Sequence, residues 1–261
     1  MDFKDRTIVV TGAGGLIGRA TVAVLLRSGA KVLMVERTRK KLDEALAEIG
    51  DNAGAVQTLV ADCSKSVEVQ AYVARALEWT GRIDGFFNNA GIEGKIAPIS
   101  EYDESEWDRV IAVNLTGVFL GLRYVLPVMI RQGSGAIVNT GSIASERGLP
   151  LTPAYNATKH GVVGLTRTAA AENGGHGIRV NCVLPGMIDT PMLRRIMGSL
   201  FAGDVDAGLK FAGSAVPAGR VGTPEDIAEV VAFLLSDKAA FVNGASWEAD
   251  GGALATMGNG G

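Results

Sequence analysis

Seven short runs rich in β-branched and other apolar residues recur along the chain, each separated from the next by a longer stretch. They are TIVVT (7–11), KVLMVE (31–36), GAVQTLVAD (54–62), IDGFFNNAG (83–91), GAIVNTGS (135–142), GIRVNCVLPG (177–186) and SWEAD (246–250). Most are apolar at consecutive rather than alternate positions, which suits strands buried on both faces, as in a parallel sheet. Helical patterns fall between them at 17–28, 39–49, 66–80, 104–131, 154–173 and 224–236. Parallel neighbours need crossovers, and crossovers are right-handed. The alternation therefore predicts an α/β fold: a doubly wound, seven-stranded parallel sheet with helices on both faces.

At 261 residues and 47% hydrophobic content the chain can form this core as one domain, 1–261. Two segments interrupt the alternation. Residues 190–221 carry Gly198, Gly203, Gly208, Gly213 and Gly219 among apolar residues and are expected to form a mobile helical lid over a substrate. Residues 251–261, GGALATMGNGG, are expected to be a flexible tail or one tied down at a subunit interface.

The net charge is −3 and the longest basic stretch is RTRKK at 37–41, which argues against nucleic acid or an anionic membrane as partner. The first strand-like run begins within ten residues of Met1, leaving no room for a secretory signal, and no apolar stretch of about 18 residues suggests a membrane span. A cytoplasmic protein is expected. Cys63 and Cys182 stand far apart in unrelated contexts, so they read as buried thiols rather than a disulfide or metal site.

The first run ends in TGAGGLIG (11–18) and opens directly into the helical pattern LIGRATVAVLLRSG. A strand, a glycine turn and a helix N-terminus in that order place free N–H groups and the positive end of a helix dipole against a pyrophosphate. Gly12, Gly15 and Gly18 line the turn, and Leu16 is expected in the core or over the flank of the bound nucleotide. Glu36 ends the second run, 24 residues after Gly12, where a carboxylate accepts from both hydroxyls of a ribose. A 2′-phosphate about 4 Å from that carboxylate would be repelled by roughly 4 kcal/mol at an effective dielectric of 20, which favours NAD over NADP. Arg37 is the contrary signal, since a guanidinium beside the ribose can clamp a phosphate if Glu36 swings away.

With these features the chain resembles the classical short-chain dehydrogenase/reductase family over nearly its whole length, although its T-G-x-x-G-x-x-G spacing is similar to that of the family's longer, extended branch. Other matching stretches are AD (61–62), NNAG (88–91), VNLTGVF with Asn114, NTGS ending at Ser142, YNATK with Tyr155 and Lys159, and PGMIDT (185–190). Ser142 and Tyr155 stand thirteen apart, the usual interval for the family. The resemblance implies a Rossmann-type fold, a nicotinamide cofactor held by Gly12, Gly15, Ile17, Gly18, Glu36, Arg37, Asp62, Cys63, Asn89, Ala90, Gly91, Tyr155, Lys159, Pro185, Gly186, Ile188 and Thr190, and a homotetramer. Within the family, NNAGIEGK (88–95), KHGVVGLTR (159–167) and AFVNGASWEADGG (240–252) are similar to members acting on alicyclic substrates.

Tyr155 and Lys159 are four apart and share one helix face. A phenol titrates near 10, and lowering it by two units needs about 2.7 kcal/mol. A nearby ammonium and the positive nicotinamide can supply this in a water-poor cleft. Tyr155 is then the general acid/base, Ser142 stabilises the reacting oxygen, Lys159 depresses the tyrosine and binds ribose, and Asn114 holds a proton-relaying water. No metal is required. Glu93, Ser145, Met192 and Met197 are candidate substrate contacts, and Arg194 and Arg195 leave room for an anionic group. The expected activity is interconversion of a secondary alcohol and a ketone, on a ring or other hydrophobic substrate. The alternatives are an NADPH-dependent 3-oxoacyl carrier-protein reductase and, from another class, a dinucleotide sensor without turnover.

Overall fold

The computed structural model describes residues 1–50 and 54–256. Strands β1 (Thr7–Thr11), β2 (Lys31–Glu36), β3 (Val56–Val60), β4 (Gly85–Asn88), β5 (Gly135–Thr140), β6 (Ile178–Pro185) and β7 (Ser246–Ala249) form one sheet in the order 3-2-1-4-5-6-7. Every pairing is parallel. This is the expected doubly wound architecture, and its strand order reverses between β1 and β4, where a crevice opens at the carboxyl ends.

Consecutive apolar residues bury both faces. Val9, Leu33, Phe86, Ile137 and Val180 point to one side, against α3 (Ser66–Thr80), α5 (Gly117–Gln132) and α6 (Pro153–Asn173). Ile8, Val10, Met34, Phe87 and Val138 point to the other, against α1 (Leu16–Arg27), α2 (Arg39–Ile49) and α9 (Pro224–Leu235).

The pattern expected as one helix at 104–131 is interrupted. The stretch starts as α4 (Glu104–Ile111), where Asp103 caps by accepting from the Ser105 and Glu106 amides, and passes through a wider π turn at Ala112–Thr116 before α5. There the Gly117 amide donates to the Ala112 carbonyl, five residues back. The whole run, 29 residues with a mean hydropathy of 1.6 in its most apolar window, is long and apolar enough to cross a membrane, contrary to the expectation from sequence. Its apolarity has another account here, because half of that window is buried within the fold and α5 packs on α3, α6, β4 and β5.

The segment expected as a lid contains α7 (Pro191–Leu200) and α8 (Val205–Ser214). They pack on one another through Leu193, Met197 and Ala212 with Ile196, Phe201 and Leu209 around them, a small cluster separate from the two sheet cores. Of the expected tail, the described part forms a short α10 (Ala253–Thr256) whose first turn is held by Asp250, which accepts from the Gly252 and Leu254 amides at 2.9 and 2.7 Å. Residues 257–261 of that tail lie outside the described residues.

Candidate active site

The glycine turn connects β1 to α1 at the edge of the crevice. Gly12 has a φ of +63°, and a side chain at Gly18 would place its Cβ 2.3 Å from the Gly12 carbonyl oxygen, so α1 can approach the turn only with glycine at that position. Gly15 is the helix N-cap, in extended backbone, and a Cβ there would meet nothing closer than that same oxygen at 3.4 Å. Leu16 is 37% exposed as the first residue of α1, which removes the core half of its expected placement. Gly14, which the sequence reading passed over, is buried against Glu36 and Lys41: a Cβ on it would lie 3.0 Å from Glu36 Oε2. The acidic end of β2 therefore stands against the turn itself, with its Oε1 accepting from the Arg37 amide at 2.9 Å.

The other expected cofactor residues follow the carboxyl ends of β3, β4 and β6. Asp62 accepts from the Ser64 amide and hydroxyl at 2.9 and 2.7 Å, and its pKa lies below the ordinary value because these hydrogen bonds outweigh its burial. Cys63 is buried, and loss of hydration together with Asp62 pushes its thiol up to about 12, so it acts here as an apolar side chain. Asn89 ties three strands at the crevice: its Nδ2 donates to the Thr11 carbonyl, its amide donates to Thr11 Oγ1, and its Oδ1 accepts from Thr140 Oγ1. Ala90 also donates to Thr11 Oγ1, while Gly91 opens the loop that runs over Lys159. Past β6, the Gly186 amide donates to the Ala249 carbonyl, Ile188 is buried in the α9-side core, and Thr190 caps α7.

Ser142, Tyr155 and Lys159 converge beside β5. Ser142 follows the end of β5 and caps a short turn at Ile143–Ser145, its hydroxyl accepting from the Ala144 amide at 3.2 Å. Lys159 is buried, its Nζ donating to the Thr140 carbonyl at 2.7 Å and lying 5.4 Å from the Tyr155 ring centre. Burial lowers this ammonium to about 8. Burial also raises the Tyr155 phenol above its ordinary value, with a hydrogen bond from Ser142 pulling it back and the Glu93 carboxylate pushing it further up. In the protein alone, burial is therefore the largest influence on Tyr155.

Asn114 sits in the π turn: Oδ1 accepts from the Ile92 amide and Nδ2 donates to the Ile92 carbonyl, each at 2.8 Å, with a longer bond from Nδ2 to Thr158 Oγ1 at 3.4 Å. The side chain pins the loop after β4 to the helix. Ser145, read as a candidate substrate contact, is buried and engaged on both sides, accepting from the Ser142 amide at 3.2 Å and donating to the Lys159 carbonyl at 2.9 Å. It braces two of the convergent residues against each other. Met197 is buried in the small α7–α8 cluster, whereas Met192 is only half-buried. Arg194 and Arg195, read as free to meet an anion, are both paired, with Asp189 and Glu93 respectively.

The sequence reading also missed Thr11, Thr140 and Ile92, which act through a hydroxyl or backbone groups; the one signal available for them was a polar residue ending each of two apolar runs. Among the described residues no three His, Cys, Asp or Glu side chains converge on a metal site.

Residues 12–253 match the model of a family described as enoyl-(acyl carrier protein) reductase. Levodione reductase of Leifsonia aquatica is 46% identical over 255 residues, covering 96% of this chain and 94% of that one. The chain belongs to the short-chain dehydrogenase/reductase family. A 2,5-dichloro-2,5-cyclohexadiene-1,4-diol dehydrogenase of Sphingobium indicum is 42% identical over 253 residues, covering 96% of this chain and 98% of that one. A crystal structure of levodione reductase superposes with a TM-score of 0.94 at 45% identity, covering 97% of this chain and 99% of that one. As a member of this family the protein is an oxidoreductase that uses a nicotinamide dinucleotide. The turn closed by Gly18, the carboxylate against Gly14 and the strand-end loops form one continuous margin of the crevice that fits such a cofactor.

Proposed function

We propose that this protein interconverts a secondary alcohol on a ring and the matching ketone, using NAD(H). The convergence of Ser142, Tyr155 and Lys159 at the end of β5 carries this reading, and the ring-shaped substrates named for two relatives direct it to cyclic alcohols. When bound, the nicotinamide dinucleotide accepts or supplies the hydride. Tyr155 gives its phenolic proton to the substrate oxygen in reduction and takes it back in oxidation. Ser142 donates a hydrogen bond to the same oxygen, and Lys159, held by the Thr140 carbonyl, fixes the field around Tyr155. Asn114 positions the loop over Lys159 through Ile92.

The carboxylate of Glu36 against Gly14 supports NAD, because a 2′-phosphate would have to approach it. Gly12, Gly15 and Gly18 hold the pyrophosphate in this reading, and α7 and α8 serve as the lid. The α5 and α6 surfaces form subunit contacts in a homotetramer, and two free buried cysteines suit the cytoplasm.

Initial rates of NAD and NADP reduction at about pH 9, on cyclohexanol and on linear secondary alcohols, test the assignment. The expected result is turnover of the ring alcohol with NAD, and a loss of about 10²–10⁴-fold in Tyr155→Phe. NADH affinity in that variant stays within a few-fold. Equal turnover in Tyr155→Phe would overturn the mechanism. Faster reduction of a 3-oxoacyl thioester with NADPH would move the protein to carrier-protein chemistry.

A further inference from the structure

We infer that Glu93 and Arg195 form a charge-neutralising latch across the mouth of the cleft that selects for uncharged substrates. The inference rests on the ring-alcohol reading of the same cleft and deepens it. Glu93 lies on the loop after β4, two residues beyond Gly91, where a Cβ would stand 3.4 Å from Asn114 Oδ1 and 3.8 Å from Lys159 Nζ. That loop therefore runs directly over the convergent residues. Glu93 is also close enough to Tyr155 for its charge to raise the phenol.

Arg195 comes from α7, 102 residues further along the chain, and meets Glu93 fork to fork: Nε donates to Oε1 and an Nη to Oε2, both at 3.1 Å. This bidentate geometry matches guanidinium to carboxylate better than any single-point contact. One helical position away, Arg194 is neutralised in the same way by Asp189, at 2.6 and 2.8 Å. Both cations of the lid's first helix are thus already paired.

The consequence concerns the substrate. An incoming carboxylate or sulfonate finds both guanidiniums of α7 already engaged by carboxylates, whereas an uncharged ring alcohol needs no counter-ion and encounters a neutral pair flanked by the apolar face of α7. The Arg195 side chain is 62% exposed, so the link is one that water competes for. Removing the carboxylate alone leaves a guanidinium aimed into the cleft, which converts the latch into an anion site.

Calorimetric binding of cyclohexanecarboxylate, an anionic ring with no hydroxyl to react, tests this on the whole protein with and without NADH. Glu93→Gln is expected to bind the probe about tenfold more tightly than the unmodified protein, and Glu93→Gln/Arg195→Gln to return to the original affinity. In parallel, the preference in kcat/KM for cyclohexanol over 3-hydroxycyclohexanecarboxylate is expected to fall by about tenfold in Glu93→Gln. Equal probe affinity in the unmodified protein and Glu93→Gln would overturn the latch, as would a double variant that binds like the single one. If no form of the protein oxidises cyclohexanol, the alcohol reading fails while the binding arm still decides the latch.

Discussion

Lys159 is a cation in a place that disfavours charge, and that conflict is measurable. Among the described residues its Nζ has one acceptor, the Thr140 carbonyl, and burial holds its pKa at about 8 against 10.5 for a solvated lysine. Between those values the unfolded chain binds more protons than the folded one, so stability rises with pH through that window, and below about 8 the cost of the buried charge is present in full. Lys159→Met removes this dependence along with the charge. Urea denaturation at pH 7 and pH 10 should show the unmodified protein gaining about 2–3 kcal/mol relative to Lys159→Met as pH rises. Parallel stability profiles for the two proteins would show that the ammonium is solvated after all. The variant should also lose turnover, as expected where a site holds a group that the fold alone would not choose.

The glycine turn separates two glycines that look equivalent in TGAGGLIG. At Gly18 a methyl group would collide with the Gly12 carbonyl and come within 2.8 Å of Ala13 Cα, both of them backbone that cannot step aside. Gly18→Ala should cost about 1–3 kcal/mol of stability and weaken NADH binding as α1 is levered off the turn. At Gly15 the φ of −79° suits any residue and the space is open, so Gly15→Ala should stay within about 0.5 kcal/mol in thermal denaturation. Equal destabilisation by the two would contradict the packing described here. The same contrast explains what could be read from sequence. Strand interiors were legible because burial on both faces forces continuous apolar runs, and Tyr155 and Lys159 were legible as one helix face from their spacing of four, while Ser142 joined them through the resemblance of NTGS and YNATK to the family. Strand ends were not: IDGFFNNAG reads through to Gly91, but pairing stops at Asn88 where the chain turns into the site. The π turn around Asn114 leaves the apolar pattern of its helix unchanged and so stayed invisible. The partners of Ser145, Met197, Arg194 and Arg195, namely the Lys159 carbonyl, Gly208, Asp189 and Glu93, were not legible, since they are set by tertiary contact rather than by spacing.

At the scale of the molecule, two of the exposed apolar patches bear on assembly. On one side α5 and α6 present a shallow groove lined by Leu115, Phe119, Gly161, Gly164 and Leu165, with Phe119 43% exposed. Elsewhere, the edge strand β7 carries Trp247, packed on Phe233, and the turn before it carries a fully exposed Phe241. A groove flanked by glycines admits a helix at close range, and in a two-fold interface the same groove faces its own copy. Two such patches on different faces supply two axes, which together build a tetramer, whereas one alone builds a dimer. Sedimentation equilibrium at micromolar concentration should therefore give a particle of four times the 27.1 kDa chain mass. Phe119→Arg places a charge opposite its own copy across the helical groove and should reduce the particle to a dimer, because the β7 patch is untouched. A monomer in the unmodified protein would overturn the assembly. A Phe119→Arg tetramer would move the contact off α5 while leaving the catalytic cleft, which opens at the carboxyl ends of the strands, as described.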